Sequence, residues 1–475
     1  EESHVGGLLK FYDVDGASSS LQVTQVIEAV GILESTPFRA DDWQDLGFAM
    51  PQSSNTSTST STAPTAYHGP CLHVLFFTPL PPSTIPQALT EARTPSLSGM
   101  VSAPEIRSQL IAYLKDALGG DELAAEFLLL TLLARVHTRR NQGGSGQARN
   151  TSGAESGGEV GIGGLSLNLF NVPDAAKEKP LPAAEGTTTT IPPTPLPKLS
   201  QALRTLLPAV VDQSLALQHL NSREVKFAPR AGNGSSSSDT GETLNAGRLQ
   251  LPKGTLLLVD EVGMGDGGQL NEGGVRNLQT LSGVLRTHRL EYEYPYNRFA
   301  FEADLRVVVL SAGKSFLPVD VFLPLECTQA AEEGEGQTKG KAPSLDTLRL
   351  FRLLLLQARY GPFTIDEKDG VAERISADFV EARKRAAAAV AAAKKSGGSE
   401  EEATAAESMA TQEDLLRRMS IARLLALSRN ESRLSIETWA RAGDLDEARL
   451  ERIRKLPIGR PAGARTGAAT GAKAM

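Results

Sequence analysis

Hydrophobic and polar positions divide this chain into four blocks that can fold, separated by polar tracts that cannot pack. The first block, residues 1–92, has short apolar runs with wide loops between them and no amphipathic helical pattern. These runs predict strands at Leu8–Tyr12, Gln22–Leu33 and Leu72–Thr78. Short strands joined by wide loops are typical of a small β-barrel, which is the fold we predict for this block.

The second block, residues 104–140, is predicted to be a helical connector because its apolar residues recur at helical spacing up to Leu118. The pair Gly119-Gly120 is expected to end the first helix, and Asp121 is expected to cap the next one. The stretch Leu123–Val136 is apolar enough to be buried on all sides.

The third block, residues 160–327, alternates short apolar runs with a helical pattern, as a parallel α/β sheet does. Its predicted helix is Leu199–Val211. Its predicted strands are Leu165–Phe170, Thr255–Val259, Leu305–Leu310 and Val319–Leu325. The fold class is therefore α/β, with several domains.

The fourth block, residues 344–457, carries leucine at helical spacing throughout and is predicted to be all helix. Its predicted helices are Leu345–Tyr360, Ile375–Arg385 and Asp414–Ser428.

The intervening tracts are rich in Ser, Thr, Gly, Pro or Ala and bury too little apolar surface to offset ordering entropy. They are residues 51–66, 141–160, 173–197, 231–244, 328–343, 386–410 and 458–475. We interpret them as loop insertions, with domain linkers as the alternative, and 458–475 as a disordered tail. The alanine run 386–393 has the further option of extending a helix.

Charge and cysteine content narrow the function classes. The chain has 49 Lys+Arg and 56 Asp+Glu, so its net charge of −7 argues against a protein that mainly neutralises phosphate. Its two cysteines, Cys71 and Cys327, cannot build a disulfide framework, which favours a reducing compartment. No apolar run reaches about 18 residues, so no membrane span is predicted.

The run Thr255–Glu261 has the pattern of a Walker B strand, four buried residues followed by two acids. In P-loop ATPases the Asp of this pattern holds Mg²⁺ and the Glu orients the attacking water. Asp260 and Glu261 take those positions here. The plainer interpretation is a buried strand that runs into an acidic surface loop.

A phosphate-binding loop does not accompany these acids. The sequence Gly313-Lys314-Ser315 invites that interpretation, but the first glycine of GxxxxGK[ST] would fall at Val308, inside a strand. The strand that should carry the loop is followed by Asn171-Val172-Pro173. Lys198 lies near the start of the next helix, but no glycine-rich loop precedes it. We therefore predict no catalytic residue, no cofactor, no small-molecule substrate and no enzyme activity.

Alternating tyrosines and a turn predict a β-hairpin over residues 285–304. Candidate partner-binding residues on it are Tyr292, Tyr294, Tyr296 and Arg298. Tyrosines that pack on one half-buried face are the alternative. The absence of lysine from the tip weakens a DNA-binding role.

No HExxH or CxxC pattern is present, and the six histidines, among them His73, His137 and His288, are scattered. We interpret each as a surface or core residue, so no metal site is predicted.

Longer motifs carry a family resemblance. The most specific are Gly254–Glu261, Gly268–Leu270, Gly274–Leu278, Leu281-Ser282, Tyr292–Tyr294 and Ser311–Pro318. Others are Leu8, Lys10 and Tyr12, Gly31–Leu33, Gly119–Phe127, His137–Arg140, and Leu434, Ser435 and Trp439. On these residues the chain resembles the mini-chromosome maintenance complex-binding protein family over nearly its whole length.

The resemblance implies a non-catalytic relative of the helicase subunits that this family binds. It implies an OB-like β-barrel first, then a degenerate AAA+-like core, then a C-terminal helical lid. Asp260 and Glu261 would take the degenerate Walker B position and Ser311 the end of the sensor strand. A further segment before residue 1 is also expected.

The implied function is binding of mini-chromosome maintenance helicase subunits in the nucleus, with chromatin contacted only indirectly and no membrane involved. Roles in DNA replication would be assembly or protection of subunits or unloading of the hexamer, together with sister-chromatid cohesion. Two alternatives remain open, an ATPase that depends on Mg-ATP and a replication factor that binds DNA directly.

Overall fold

The computed structural model describes residues 8–12, 21, 23–34, 71–79, 103–141, 159–172, 195–223, 225–231, 244–265, 268–294, 297–326, 343–365, 370–395 and 411–455. The strands are β1 (Leu8–Phe11), β2 (Ile27–Glu34), β3 (Cys71–Pro79), β4 (Thr138–Asn141), β5 (Glu159–Ile162), β6 (Leu167–Phe170), β7 (Val210–Ser214), β8 (Arg230–Ala231), β9 (Leu244–Asn245), β10 (Leu256–Asp260), β11 (Arg289–Glu293), β12 (Arg298–Glu302), β13 (Arg306–Leu310) and β14 (Val321–Pro324). The helices are α1 (Ala103–Ala117), α2 (Glu122–Leu133), α3 (Pro197–Leu206), α4 (Leu217–Leu220), α5 (Glu272–Thr287), α6 (Leu345–Tyr360), α7 (Val371–Lys395), α8 (Gln412–Ser428) and α9 (Ile436–Lys455).

The chain divides into two compact units. Unit 1 comprises Glu1–Thr84, Ala228–Lys253 and Glu291–Phe301. Unit 2 comprises Ile85–Phe227, Gly254–Leu290 and Glu302–Met475.

Unit 1 contains a three-stranded sheet in the order β1-β3-β2, in which β1 runs parallel and β2 antiparallel to the central strand. All three strands were predicted from their apolar runs; β1 and β3 match to within one residue at each end, whereas β2 begins at Ile27, five residues after its predicted start. Among the described residues this sheet is open, and 35–70 lie outside them, so the β-barrel stays a prediction. A second sheet has the order β12-β11-β8-β9, which confirms the predicted hairpin.

Unit 2 is built on a five-stranded sheet in the order β14-β6-β13-β10-β7, and each pair of neighbours is parallel. Strands β6 and β13 are buried along their length, which explains why their sequences are apolar except for the buried Asn168 and Arg306. The four strands predicted in this block are confirmed.

The fifth strand, β7, corrects the prediction of one helix over Leu199–Val211. The helix ends at Leu206, Leu207 is extended, and Pro208 cannot donate a helical hydrogen bond. The chain then enters β7, a half-buried strand at the edge of the sheet that pairs only with β10 among the described residues.

Helices α1 to α3 and α6 to α9 share one hydrophobic core with this sheet, so the parts of the predicted blocks 104–140, 160–327 and 344–457 that lie in unit 2 pack together. Helix α2 is buried on nearly all sides, as its sequence predicted, and Asp121 caps it by accepting a hydrogen bond from the Ala124 N–H at 3.0 Å. Gly119 and Gly120 end α1 with positive φ angles of 71° and 96°, which glycine adopts without strain.

In one region the structure differs from the sequence prediction, and in another it decides between two options that the sequence left open. Residues 138–140, predicted as the end of the helical connector, form β4 together with Asn141, and β4 pairs antiparallel with β5, which begins inside the predicted tract 141–160. Helix α7 runs through the alanine tract to Lys395, which confirms that the tract extends a helix. The tracts 51–66 and 458–475 lie wholly outside the described residues. Within the described part of the chain, no helix has the length and apolar character that a membrane span needs.

Candidate functional site

The predicted site residues of unit 2 meet at the carboxyl edge of the parallel sheet. Asp260 ends β10, Ser311 directly follows β13, and Asn171 directly follows β6. The register pairs Asp260 with Leu310 and Leu310 with Leu169, so the three strand ends lie side by side. In open α/β sheets ligands bind at this edge, where the strand order reverses.

The two acids are held by neighbouring backbone and side chains. The Asp260 Oδ1 accepts a hydrogen bond from the Val262 N–H at 2.9 Å, and the Glu261 N–H donates to the Leu310 carbonyl at 2.8 Å. Burial raises the pKa of Glu261, and this effect outweighs the hydrogen bonds that its carboxylate accepts from the Ser315 side chain and the Phe316 backbone. The Glu261 Oε2 is buried without a hydrogen-bond partner.

The sensor-strand position is occupied by a buried polar network. Asn168, fully buried in β6, donates its amide Nδ2 to the Ser311 Oγ at 2.7 Å and to the Val309 carbonyl at 3.2 Å. Its Oδ1 accepts from the Ser315 N–H at 3.2 Å. Ser311 and Ser315 are themselves buried. The network therefore ties the end of β13 and the loop after it to β6.

Gly313-Lys314-Ser315 belongs to this loop and follows β13, which is the wrong strand for a phosphate-binding loop. The Ser315 Oγ accepts from the Leu317 N–H at 3.0 Å, and the Ser315 side chain also contacts Glu261. The Lys314 ammonium lies 4.6 Å from the centre of the Phe322 ring. The serine is thus engaged within the protein, where a P-loop serine would face a metal ion.

The position after β6 does not fit a nucleotide either. The N–H groups of Asn171 and Val172 donate to the carbonyls of Ala312 and Ser311 at 3.2 and 3.1 Å, so they are not available to phosphate oxygens. The sequence from Asn171 to Glu185 has no glycine, whereas a phosphate cradle needs a glycine-rich backbone. Lys198 lies exposed in the first turn of α3.

In unit 1 the hairpin places its aromatic side chains together. Tyr292 and Tyr294 stack with ring centres 4.6 Å apart, and Phe299 meets Tyr294 edge-to-face at 5.6 Å. Phe299 is 59% exposed, a feature that sequence reasoning missed because a phenylalanine in an alternating strand is expected to be buried. Arg298 is exposed and pairs with Glu291 at 3.4 Å, and Tyr296 lies outside the described residues.

Replacement of Glu261 with glutamine is expected to stabilise the chain at neutral pH. Because the folded-state pKa of Glu261 lies above its ordinary value of 4.5, the folded state binds this proton more tightly. The stabilising contribution of the protonated form is present below 4.5 and is lost as pH rises through the folded-state pKa. Glutamine does not ionise, so the variant does not lose this contribution to stability as pH rises.

Thermal unfolding at pH 4.5 and pH 7.5 measures this effect. The melting temperature of Glu261→Gln relative to that of the wild type should be higher at pH 7.5 than at pH 4.5. The same change at the exposed Glu451 should not. A Glu261→Gln variant whose stability relative to the wild type falls as pH rises would contradict the assignment of a desolvated carboxylate.

Comparison with known proteins identifies the family. The family model described as mini-chromosome maintenance replisome factor matches residues 1–453. A protein of Salmo salar named mini-chromosome maintenance complex-binding protein is 29% identical over 388 residues, which are 81% of this chain and 51% of that protein. Proteins of the same name from Arabidopsis thaliana and Homo sapiens are 28% and 25% identical over 94% and 91% of this chain.

The chain spans 51% to 63% of the length of these three relatives. The motif-based resemblance is confirmed by the match to the family model over nearly the entire chain. The chain belongs to the mini-chromosome maintenance replisome factor family.

Proposed function

We propose that this chain is a non-catalytic binding protein of the mini-chromosome maintenance helicase and acts in the nucleus. Its roles would be assembly or protection of helicase subunits or unloading of the hexamer during DNA replication, and sister-chromatid cohesion. The observation that carries the proposal is the family membership, together with relatives that are named complex-binding proteins.

The architecture of unit 2 supports a degenerate AAA+-like core with a helical lid. Asp260, Ser311 and the end of β6 converge at one sheet edge, where an ATPase would place its Walker B acid, sensor and phosphate loop. Helices α6 to α9 follow the sheet in sequence and share its core. A chain shaped like a helicase subunit can present the same faces as a subunit, so that neighbours are selected by surface complementarity.

The contacts at this edge favour a core that does not turn over nucleotide. Glu261 faces Ser315 and Phe316, and the N–H groups after β6 are bonded to the chain segment after β13. The ATPase alternative has the Asp260-Glu261 pair in its favour. Hydrolysis of Mg-ATP by the purified chain that disappears in Glu261→Gln would support that alternative instead.

The hairpin of unit 1 is the part of the described surface that we propose as the contact for a helicase subunit. Aromatic and arginine side chains carry most of the binding energy in protein interfaces, and they are the residues that this hairpin exposes. Phe299 offers apolar area on one face of β12, and its neighbour Arg298 offers a charge-assisted donor on the other face. The net charge of −7 disfavours the remaining alternative, direct DNA binding, for which affinity would have to fall steeply with salt.

Replacement of Phe299 with alanine is expected to weaken binding of helicase subunits by at least about 30-fold, because loss of an interface anchor costs about 2 kcal/mol or more. Co-precipitation from nuclear extract and titration against purified subunits measure the effect. Phe76→Ala is the matched control, since Phe76 is 60% exposed on β3 in the other sheet of unit 1.

Two outcomes count against the proposal. Failure of the wild-type chain to retain any helicase subunit at physiological salt would overturn the binding function. Equal loss of binding in Phe299→Ala and Phe76→Ala, or in neither, would remove the hairpin as the contact and leave the binding function standing.

A further inference from the structure

Three potential metal ligands of different chemistry meet at one end of the β1-β3-β2 sheet. Glu34 is the last residue of β2, and Cys71 and His73 lie two residues apart on β3. One carboxylate oxygen, the thiol sulfur and one imidazole nitrogen all lie within 4.8 Å of one another. The Glu34 Oε2 is 2.7 Å from the His73 Nε2.

Strand register explains the meeting. Residues two apart on a strand face the same side, and Glu34 is the direct cross-strand partner of Cys71. A β-bulge between Val30 and Gly31 shifts the pairing by one residue and sets this alignment. A Cβ at position 31 would come within 2.1 Å of the His73 carbonyl oxygen, so glycine is required for the strands to approach.

The remaining imidazole nitrogen has a partner that fixes the ring. The Tyr12 hydroxyl lies 2.6 Å from the His73 Nδ1, and the two rings stack with centres 5.7 Å apart. Histidines that bind metal usually hold their other nitrogen in such an outer hydrogen bond, which orients the ring and raises its basicity as a ligand. His73 therefore presents its Nε2 to the carboxylate and the thiol.

We propose that Glu34, Cys71 and His73 form a binding site for a divalent ion of the zinc class. A thiolate, an imidazole and a carboxylate are the ligand types that Zn²⁺ takes, and calcium or magnesium would require oxygen ligands throughout. Three protein ligands leave the fourth tetrahedral position to water. The thiolate and the carboxylate together balance the charge of the ion.

The buried thiol favours this proposal over a simple hydrogen-bonded triad. Tyr12, His73 and Glu34 would form that triad without help from a cysteine. Cys71 is only 1% exposed and yet lies within ligand distance of both other groups. A neutral thiol could donate only a weak S–H hydrogen bond to the carboxylate or the imidazole, whereas coordination would give its sulfur a strong metal–thiolate bond.

A bound ion would link the end of β2 to the start of β3, which flank the long segment 35–70. A metal ion bound only by the folded state adds its binding free energy to the stability of that state. The site would thereby hold the sheet register of unit 1.

The test uses the full chain, kept reduced, with Co²⁺ and Zn²⁺ as probes. Co²⁺ should bind one ion per chain with the charge-transfer absorption of a thiolate–cobalt bond, and Zn²⁺ should displace it. Cys71→Ser and His73→Gln should lower the affinity by more than about 100-fold, beyond the range for loss of an outer-shell partner. Tyr12→Phe, which keeps all three ligands, should lower it by about tenfold.

Cys327→Ser and His219→Gln are the controls, since they remove the other cysteine and a histidine of unit 2. Both should bind metal as the wild type does. Circular dichroism of the metal-free variants separates loss of a ligand from loss of folding, and Cys71→Ala is the substitute if the serine variant unfolds. The proposal fails if the thiolate band is missing from the wild type, or if it survives in a folded Cys71 variant.

Discussion

Replacement of Trp439 with alanine is expected to lower the free energy of unfolding of unit 2 by about 3–5 kcal/mol, the range for truncation of a large core aromatic residue. Trp439 on α9 is 1% exposed, so its removal leaves a cavity in the shared core. Its indole Nε1 donates to the Asp378 Oδ2 at 2.8 Å, and the Arg418 guanidinium lies 4.3 Å from the ring centre. The variant also leaves Asp378 of α7 without this donor.

Urea unfolding followed by circular dichroism measures the change, with Trp439→Phe as the matched control. Phenylalanine keeps most of the ring volume and loses the indole donor, so it should cost about 1–2 kcal/mol. If the two variants were equally destabilised, the hydrogen bond would be the main contribution and the packing argument would be wrong. The result bears on the proposed function because Trp439 joins α7, α8 and α9, the helices that would form the lid.

Strands that are buried on both faces were predictable from the sequence, and the edge strand was not. β6, β10 and β13 are mostly apolar because nearly all of their residues are buried, and the polar exceptions include the buried Asn168 and Arg306. β7 includes Asp212, Gln213 and Ser214 and is half-buried, so its composition resembles a loop. The leucine spacing of the preceding helix then extended the predicted helix into it.

Local side-chain chemistry was predictable where it depended on neighbours in sequence. Asp121 as a helix cap and the shared face of Tyr292 and Tyr294 both follow from spacing along one element. The meeting of Glu34 with Cys71 depends on a bulge and on cross-strand register, which a single sequence does not specify. The Cys-x-His spacing at residues 71–73 is the one sequence signal for the cluster, and it was not recognised when no metal site was predicted.

Asn168→Ala is expected to destabilise unit 2 by about 2–4 kcal/mol, because it leaves several buried polar groups without partners. The Ser311 hydroxyl, the Ser315 N–H and the Val309 carbonyl would each lose a hydrogen bond inside a fully buried site. Each buried group left unsatisfied costs about 1–3 kcal/mol, reduced where the structure relaxes or water enters.

A double-mutant cycle with Ser311→Ala separates this network from simple loss of packing. If Asn168 and Ser311 act together, the double variant should cost less than the sum of the single variants by at least about 0.5 kcal/mol. Additive costs would mean that the two side chains stabilise the sheet independently. Coupling would mean that the Ser311 hydroxyl is committed to holding β13 against β6. A side chain with that structural role is not free to sense a phosphate, so the same cycle tests the proposal that this edge of the sheet does not turn over nucleotide.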